Sequence, residues 1–284
     1  MTVTVFVVVI AAAILHATWN ALVKQGEDKY LTMAAVVLGH VPFGIAALFV
    51  APTPAPGSWP YIMGGIVLHV GYQWLLLASY RVGDLTQVYP IARGIAPMLV
   101  AVVSVLLLGV SLSPVEQAGI LIIGMGVLNL GLLGQSGRAG LKASLFAMGS
   151  GCFIAGYSLV DGYGARAAGT SLGFYAWLTI GNGIVFAIVI AALRPSALRN
   201  LVVSGKNLFF IGGGASFAAY ALAMWAFTQA PIALVTALRE TSIVFALLIG
   251  MVFLGEKPTR VKIGWVMVIV AGAVIIRGAS VLFA

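Results

Sequence analysis

Apolar runs about as long as a bilayer is thick follow one another along almost the whole chain. A helix needs about 20 consecutive apolar residues to cross the roughly 30 Å hydrocarbon core. Runs of that length fall at about 2–23, 30–50, 59–80, 85–109, 115–134, 140–160, 171–193, 207–229, 232–254 and 261–278. Backbone polar groups in lipid must be satisfied within the segment, so these runs are expected to be helices. The alternating strands of a membrane barrel are missing from the sequence. The expected fold is therefore an all-α membrane protein with ten transmembrane helices, called spans 1 to 10 in chain order. The run from Thr2 has no basic segment before it and continues to about Val23, so it reads as a span and not as a leader.

Composition agrees. The 284 residues are 62% hydrophobic and 8% charged, whereas a soluble domain carries roughly 25% charged residues. The net charge of +8 does not point to nucleic acid, because Lys and Arg sit mainly in the breaks between apolar runs. The one cysteine, Cys152, excludes an internal disulfide and reads as a small packing residue. The sequence has no zinc-type cluster, no Walker motif and no nucleophile with a base one turn away. Neither a metal, a cofactor nor an enzyme is expected.

The breaks carry turn chemistry. Residues 51–57 form a stiff proline-rich linker, and Ser113-Pro114 and Lys257-Pro258 restart helices. Gly124, Gly126, Gly212, Gly213 and Gly214 suit close backbone approach.

The chain also contains itself twice. Arg93 to Gly109 and Arg239 to Gly255 have the same spacing, and a proline follows each, at Pro114 and Pro258. Gly119 and Gly264 then fall near the start of the next run, and Tyr72 and Tyr220 lie at similar offsets upstream. Trp19 to Lys24 lines up with Gly156 to Asp161. Residues 1–134 and 140–280 thus read as two five-helix repeats in one integrated domain. Five is odd, so the second repeat enters the membrane inverted, and a site is expected near the midplane where the repeats meet.

Val88-Tyr89-Pro90-Ile91-Ala92-Arg93-Gly94, the paired Leu-Gly…Pro joins and Leu254-Gly255-Glu256-Lys257 resemble the EamA-like branch of the drug/metabolite transporter superfamily. The opening segment, His16 to Lys24, resembles a subgroup described as permeases, some linked to phosphonate use. The resemblance covers nearly the whole chain. It implies a central cavity lined by helices 1, 3, 4, 6, 8 and 9, with alternating access. It does not select among the superfamily's amino acids, sugar nucleotides, phosphorylated sugars and drugs.

Loop charge sets an expected orientation. Eleven Lys and Arg residues lie in or beside the odd loops: Lys24, Lys29, Arg81, Arg138, Lys142, Arg194, Arg199, Lys206, Lys257, Arg260 and Lys262. Arg166 and Arg277 lie on the other side. This bias puts the odd loops in the cytoplasm and both termini outside, whereas many members of the resembled family have both termini inside.

Charges inside spans are the sharpest functional signal, because each costs roughly 2.5–3.5 kcal/mol at the bilayer centre. Arg93 lies about 12 Å into span 4 and Arg239 about 10 Å into span 9 from the opposite face, at about 1.5 Å per residue. Two guanidiniums would then converge on the midplane. They read either as a clamp for a carboxylate or phosphate-like group, or as locks that bond helix-end carbonyls or pair with Glu240 or Asp161. Glu240 could neutralise Arg93, hold a substrate amine or carry a coupled proton.

Polar and aromatic residues recur at helical spacing around these charges. Span 1 offers His16, Trp19, Asn20 and Lys24, and span 3 offers His69, Tyr72, Gln73 and Tyr80. Span 4 adds Tyr89. Span 6 adds Phe153, Tyr157 and Asp161, and span 8 adds Tyr220, Met224 and Phe227. Such stripes suit a mostly aromatic pocket with few polar groups. Lys24 and Asp161 sit at expected span ends and read as gate or coupling candidates with His69, or as snorkelling ends. His40 reads as packing. Trp59, Tyr61 and Trp265 read as interfacial anchors. Pro90 and Pro97 are expected to kink span 4 around Arg93.

The function expected from residues and resemblance together is a secondary transporter of a small organic metabolite, anionic or zwitterionic: an amino acid, carboxylate or phosphonate-like compound. The alternatives are a lipid-linked substrate flippase and a multidrug or cation exporter of the same fold. Protons are a possible coupling partner. A multi-pass place in a bacterial inner membrane, as a monomer or weak dimer, completes the expectation.

Overall fold

The computed structural model describes residues 1–24, 26, 28–81, 85–133, 137–253 and 255–282. All regular structure among them is helical. The helices are α1 (Val3–Lys24), α2 (Lys29–Leu48), α3 (Trp59–Tyr80), α4 (Leu85–Leu106), α5 (Pro114–Leu132), α6 (Gly137–Ala168), α7 (Ser171–Leu193), α8 (Pro195–Ser204), α9 (Gly213–Gln229), α10 (Ile232–Arg239), α11 (Ser242–Phe253) and α12 (Arg260–Leu282). A single 3-10 turn precedes α3 and a π-helical turn, Leu208–Gly212, leads into α9. Among the described residues, ten segments are long and apolar enough to cross a membrane, with α10 and α11 together forming one of them. Large apolar side chains such as Met63, Val67, Leu141, Ile188 and Val274 stay exposed on the outside, as a lipid-facing surface requires.

Local chemistry starts and stops these helices. Asp28 accepts from the Tyr30 and Leu31 amides at 2.9 and 3.1 Å and begins α2. Ser113 and Glu116 form a reciprocal capping box at α5, whose first residue is Pro114. Gly109 and Gly255 end α4 and α11 in the same way. Their φ values are +64° and +66°, a region that a side chain makes costly. The next amide in each case bonds six residues back, Val110 to Ser104 at 2.8 Å and Glu256 to Gly250 at 3.0 Å. The two stops share this wide closure, which a left-handed glycine permits.

Helices α1, α3, α4, α6, α9 and α10–α11 surround the centre, with α2 against α7 on one flank and α5 against α12 on the other. α3 packs on α6 and α1 on α9. α4 also lies along α5, whereas α11 barely touches α12. Small residues allow the tight crossings. A side chain at Gly39 would run into the Phe209 carbonyl of the π turn and lie 3.0 Å from the Gly213 Cα.

Several expectations are corrected. Span 6 does not stop near residue 160, because α6 continues to Ala168. Asp161 is therefore mid-helix and fully buried, so it does not snorkel at a span end. Cys152 is exposed on the outer surface and packs no interior. Pro90 and Pro97 do not interrupt span 4, since α4 remains one helix through both. The break falls in span 9, which has no internal proline: Glu240 and Thr241 separate α10 from α11. Three-residue bonds tighten this break, with the Glu240 and Thr241 amides on the Ala237 and Leu238 carbonyls, both at 3.0 Å. The Lys24 and Tyr80 side chains lie outside the described residues.

Candidate functional site

Two connected cavities occupy the bundle. The inner one, about 90 Å³, is lined by His16, His69, Tyr72, Gln73, Arg93, Tyr157, Tyr220 and Arg239 among others. The outer one, about 240 Å³, shares Trp19, Met33, Val36, Tyr72, Leu76 and Tyr89 with it. It continues past Asn20, between α11 (Ile243, Leu247) and α12 (Val266), to Lys29, Glu256 and Lys262. These last residues belong to the end of the bundle that carries the odd loops.

At the opposite end the bundle is packed. Arg166 donates from Nε to the Phe227 carbonyl at 2.9 Å and from Nη2 to the Ala230 carbonyl at 2.8 Å. It thereby caps the C-terminus of α9, where a cation is favourable, and ties α6 to the turn before α10.

The two deep arginines have different partners. Arg93 Nε donates to Glu240 Oε2 at 2.9 Å, with both side chains buried. The break after Arg239 presents Glu240 to α4, and the Tyr89 ring lies 5.9 Å from the Arg93 guanidinium. Arg93 Nη2 is buried without a hydrogen-bond partner within the described protein. Arg239 forms no ion pair among the described residues. Its guanidinium stands 4.9 Å over the Tyr220 ring and lines the inner cavity. The two guanidiniums therefore do not form an equal clamp: both line the cavity, but Arg93 is neutralised by Glu240 and Arg239 has no ion-pair partner among the described residues.

A second cluster lies behind the wall. Asp161 Oδ2 is 2.8 Å from His69 Nε2 and accepts from the Tyr220 hydroxyl at 2.6 Å. Its Oδ1 is buried with no partner, and a Cβ at Gly65 would sit 2.6 Å from it. The His69 ring stacks on Tyr157 with centroids 4.0 Å apart. Tyr220 thus carries Asp161 on its hydroxyl and Arg239 on its face. On the other side of the chamber, His16 Nε2 and the Tyr89 hydroxyl are 2.7 Å apart, and Asn20 donates back to the His16 carbonyl at 2.8 Å.

Most of the sequence-picked residues converge on this chamber, with Glu240 and Asp161 one layer behind its surface. Met224 and Phe227 are fully buried in the core and do not line it. His40, read as packing, is a lining residue instead and lies 3.4 Å from the Tyr175 hydroxyl. Tyr175, Asn182 and Ser216 also contribute and were not picked out. His40, Tyr175 and Asn182 come from α2 and α7, which the resemblance did not place at the cavity. A polar residue in each apolar run was the available signal. Among the described residues, no group of three His, Cys, Asp or Glu could hold a metal ion.

Comparison with known proteins accords with this architecture. Residues 141–278 match the model of the EamA-like transporter family. A solved structure titled "Crystal structure of protein" shares the fold, with a TM-score of 0.75 and 20% identity over 96% of this chain and 98% of that one. No curated protein matches the sequence.

Proposed function

From the premise that this chain is built as an EamA-like membrane transporter, we propose that it carries a small metabolite bearing a carboxylate or phosphonate-like group. The observation that carries this reading is Arg239, a buried cation without an ion-pair partner among the described residues, facing an aromatic chamber. An unpaired buried charge is costly, and a fork of N–H donors suits a planar or tetrahedral acid. His16, Asn20, Tyr72, Gln73, Tyr89 and Tyr157 would supply the remaining contacts.

Access alternates between the two bundle ends. The path past Lys29, Glu256 and Lys262 and the Arg166 tie at the far end support a form open on the odd-loop side. The shared glycine stop of α4 and α11 and the paired α3–α6 and α1–α9 contacts support two inverted repeats. The open form then differs from its counterpart by which helix pair is parted, α11 from α12 or α4 from α5. We place the odd loops in the cytoplasm of a bacterial inner membrane, with the protein acting as a monomer or weak dimer.

The test is ligand-induced thermal stabilisation of purified protein by a panel of small acids, followed by counterflow in proteoliposomes. Acids should stabilise the wild type and lose that effect in Arg239→Ala. Stabilisation by organic cations alone would reverse the assignment of charge.

The separation of α11 from α12 supports a second reading, a carrier of lipid-linked substrates. Faster transbilayer movement of a headgroup-labelled lipid in reconstituted vesicles would favour it over the soluble-acid reading.

A further inference from the structure

We infer that transport of a monoanion through this chamber is coupled to one proton, taken up by the His69–Asp161 pair. The inference rests on the reading of Arg239 as the anion site. Its basis is charge balance in a medium that tolerates none to spare. Among the described residues the deep charges are Arg93 and Arg239 against Glu240 and Asp161, two of each sign. The Arg93–Glu240 pair is already neutral. Arg239 makes no ion pair among the described residues, but the other buried carboxylate, Asp161, offsets its charge from a distance, with Tyr220 between them: its hydroxyl donates to the carboxylate while its ring lies under the guanidinium. An anion bound to Arg239 leaves the chamber with one uncompensated negative charge, and an unpaired charge in a low-dielectric interior is costly. One proton on the His69–Asp161 pair restores neutrality.

The pair is built to take it. Asp161 keeps one oxygen on His69 and Tyr220 and holds the other buried and unpartnered. His69, by contrast, lines the inner cavity, so a proton can reach it from that side. The groups facing the pair are Tyr72 beside His69 on α3, Tyr157 on α6, Tyr175 on α7, Tyr220 on α9 and Arg239 on α10, with His40 on α2 and Arg93 on α4 further round the chamber. Tyrosines surround the pair, and its carboxylate is the one not committed to an arginine. The proton passes from cavity water to the pair on the open side and returns to water on the other. No bond of the substrate changes. Because Tyr220 touches both sites, proton and anion each alter what the other meets.

Purified protein is titrated with lactate, alanine and 2-aminoethylphosphonate at several pH values, and the protons taken up per bound molecule are counted with an indicator dye. The expected result is one proton per lactate and none for alanine, which is already neutral. Lactate affinity should then rise about tenfold for each unit fall in pH over the coupled range. In proteoliposomes a pH gradient of one unit should concentrate lactate about tenfold, and an imposed membrane potential should have no effect. Both Asp161→Asn and His69→Gln should flatten the pH dependence, so either variant suffices if the other fails to fold. Lactate binding that needs Arg239 but takes up no proton, or that moves charge across the membrane, overturns the coupling alone. Failure of all three probes to bind, or binding indifferent to Arg239→Ala, overturns the anion site and the coupling with it.

Discussion

Arg93 and Glu240, distant in sequence, meet through a 2.9 Å bond from Nε to Oε2 in the interior of the bundle. The contact joins an unbroken α4 to the break between α10 and α11. It also leaves the neighbouring Arg239 as the cation that the chamber presents. Removing one partner strands the other charge in a dry interior. Arg93→Ala and Glu240→Ala should therefore each cost about 3–5 kcal/mol of stability. The double replacement Arg93→Met with Glu240→Met should recover most of that loss. Unfolding of the purified variants in detergent checks both, and additive losses in the double variant would contradict the pairing.

Arg239 should behave in the opposite way. With no ion pair to lose among the described residues, Arg239→Ala should leave stability near that of the wild type. Affinity for an acid should fall at least tenfold, because a charge-assisted hydrogen bond contributes about 1.5–3 kcal/mol. Arg239→Lys should recover only part of this, since an ammonium lacks the planar fork. Binding calorimetry of the three proteins separates charge from geometry.

The crossing of α2 with the π turn should tolerate no added methyl. A Cβ at Gly39 meets the Phe209 carbonyl and the Gly213 Cα, both backbone. Gly39→Ala should cost about 1–3 kcal/mol, the usual range for overpacking. A Cβ added at Gly264 would meet no neighbouring group within 4 Å, so Gly264→Ala should be neutral or slightly stabilising. Melting temperatures measured side by side test the contrast.

Arg166 holds the packed end through two carbonyls at the end of α9. Arg166→Ala should loosen that end and shift the population towards access from the even-loop side. In a Cys152→Ser background, a cysteine at Thr228 should react with a membrane-impermeant maleimide several-fold faster once Arg166 is removed. An unchanged rate would make Arg166 a cap without a gating part.

The excess of Lys and Arg in the odd loops should orient the protein with Ala284 outside the cytoplasm. Paired C-terminal fusions, one reporter active only in the cytoplasm and one only outside it, decide this. Activity of the cytoplasmic reporter alone would reverse both the orientation and the side to which the 240 Å³ cavity opens.

By itself the sequence determined the number of spans, their helical nature and the few charges that had to face inward. Those properties follow from local rules: backbone groups in lipid bond within their own segment, apolar length matches bilayer thickness, and a buried Arg or Glu is too costly to occur without a partner or a cavity. Helix stops at Gly109 and Gly255 were visible for the same reason, since the left-handed conformation is a property of one residue. What only the tertiary structure decided was which charge answers which. Arg93 and Arg239 looked alike in sequence. The break at Glu240 turns a carboxylate to α4, while Tyr220 lies under the other guanidinium. Asp161 looked like a helix end, but α6 runs about two turns further, at about 3.6 residues each, to Ala168, and the carboxylate is buried against His69 of α3 and Tyr220 of α9. Pairing between distant helices depends on packing and on where a helix breaks, and neither is written in the spacing along one segment.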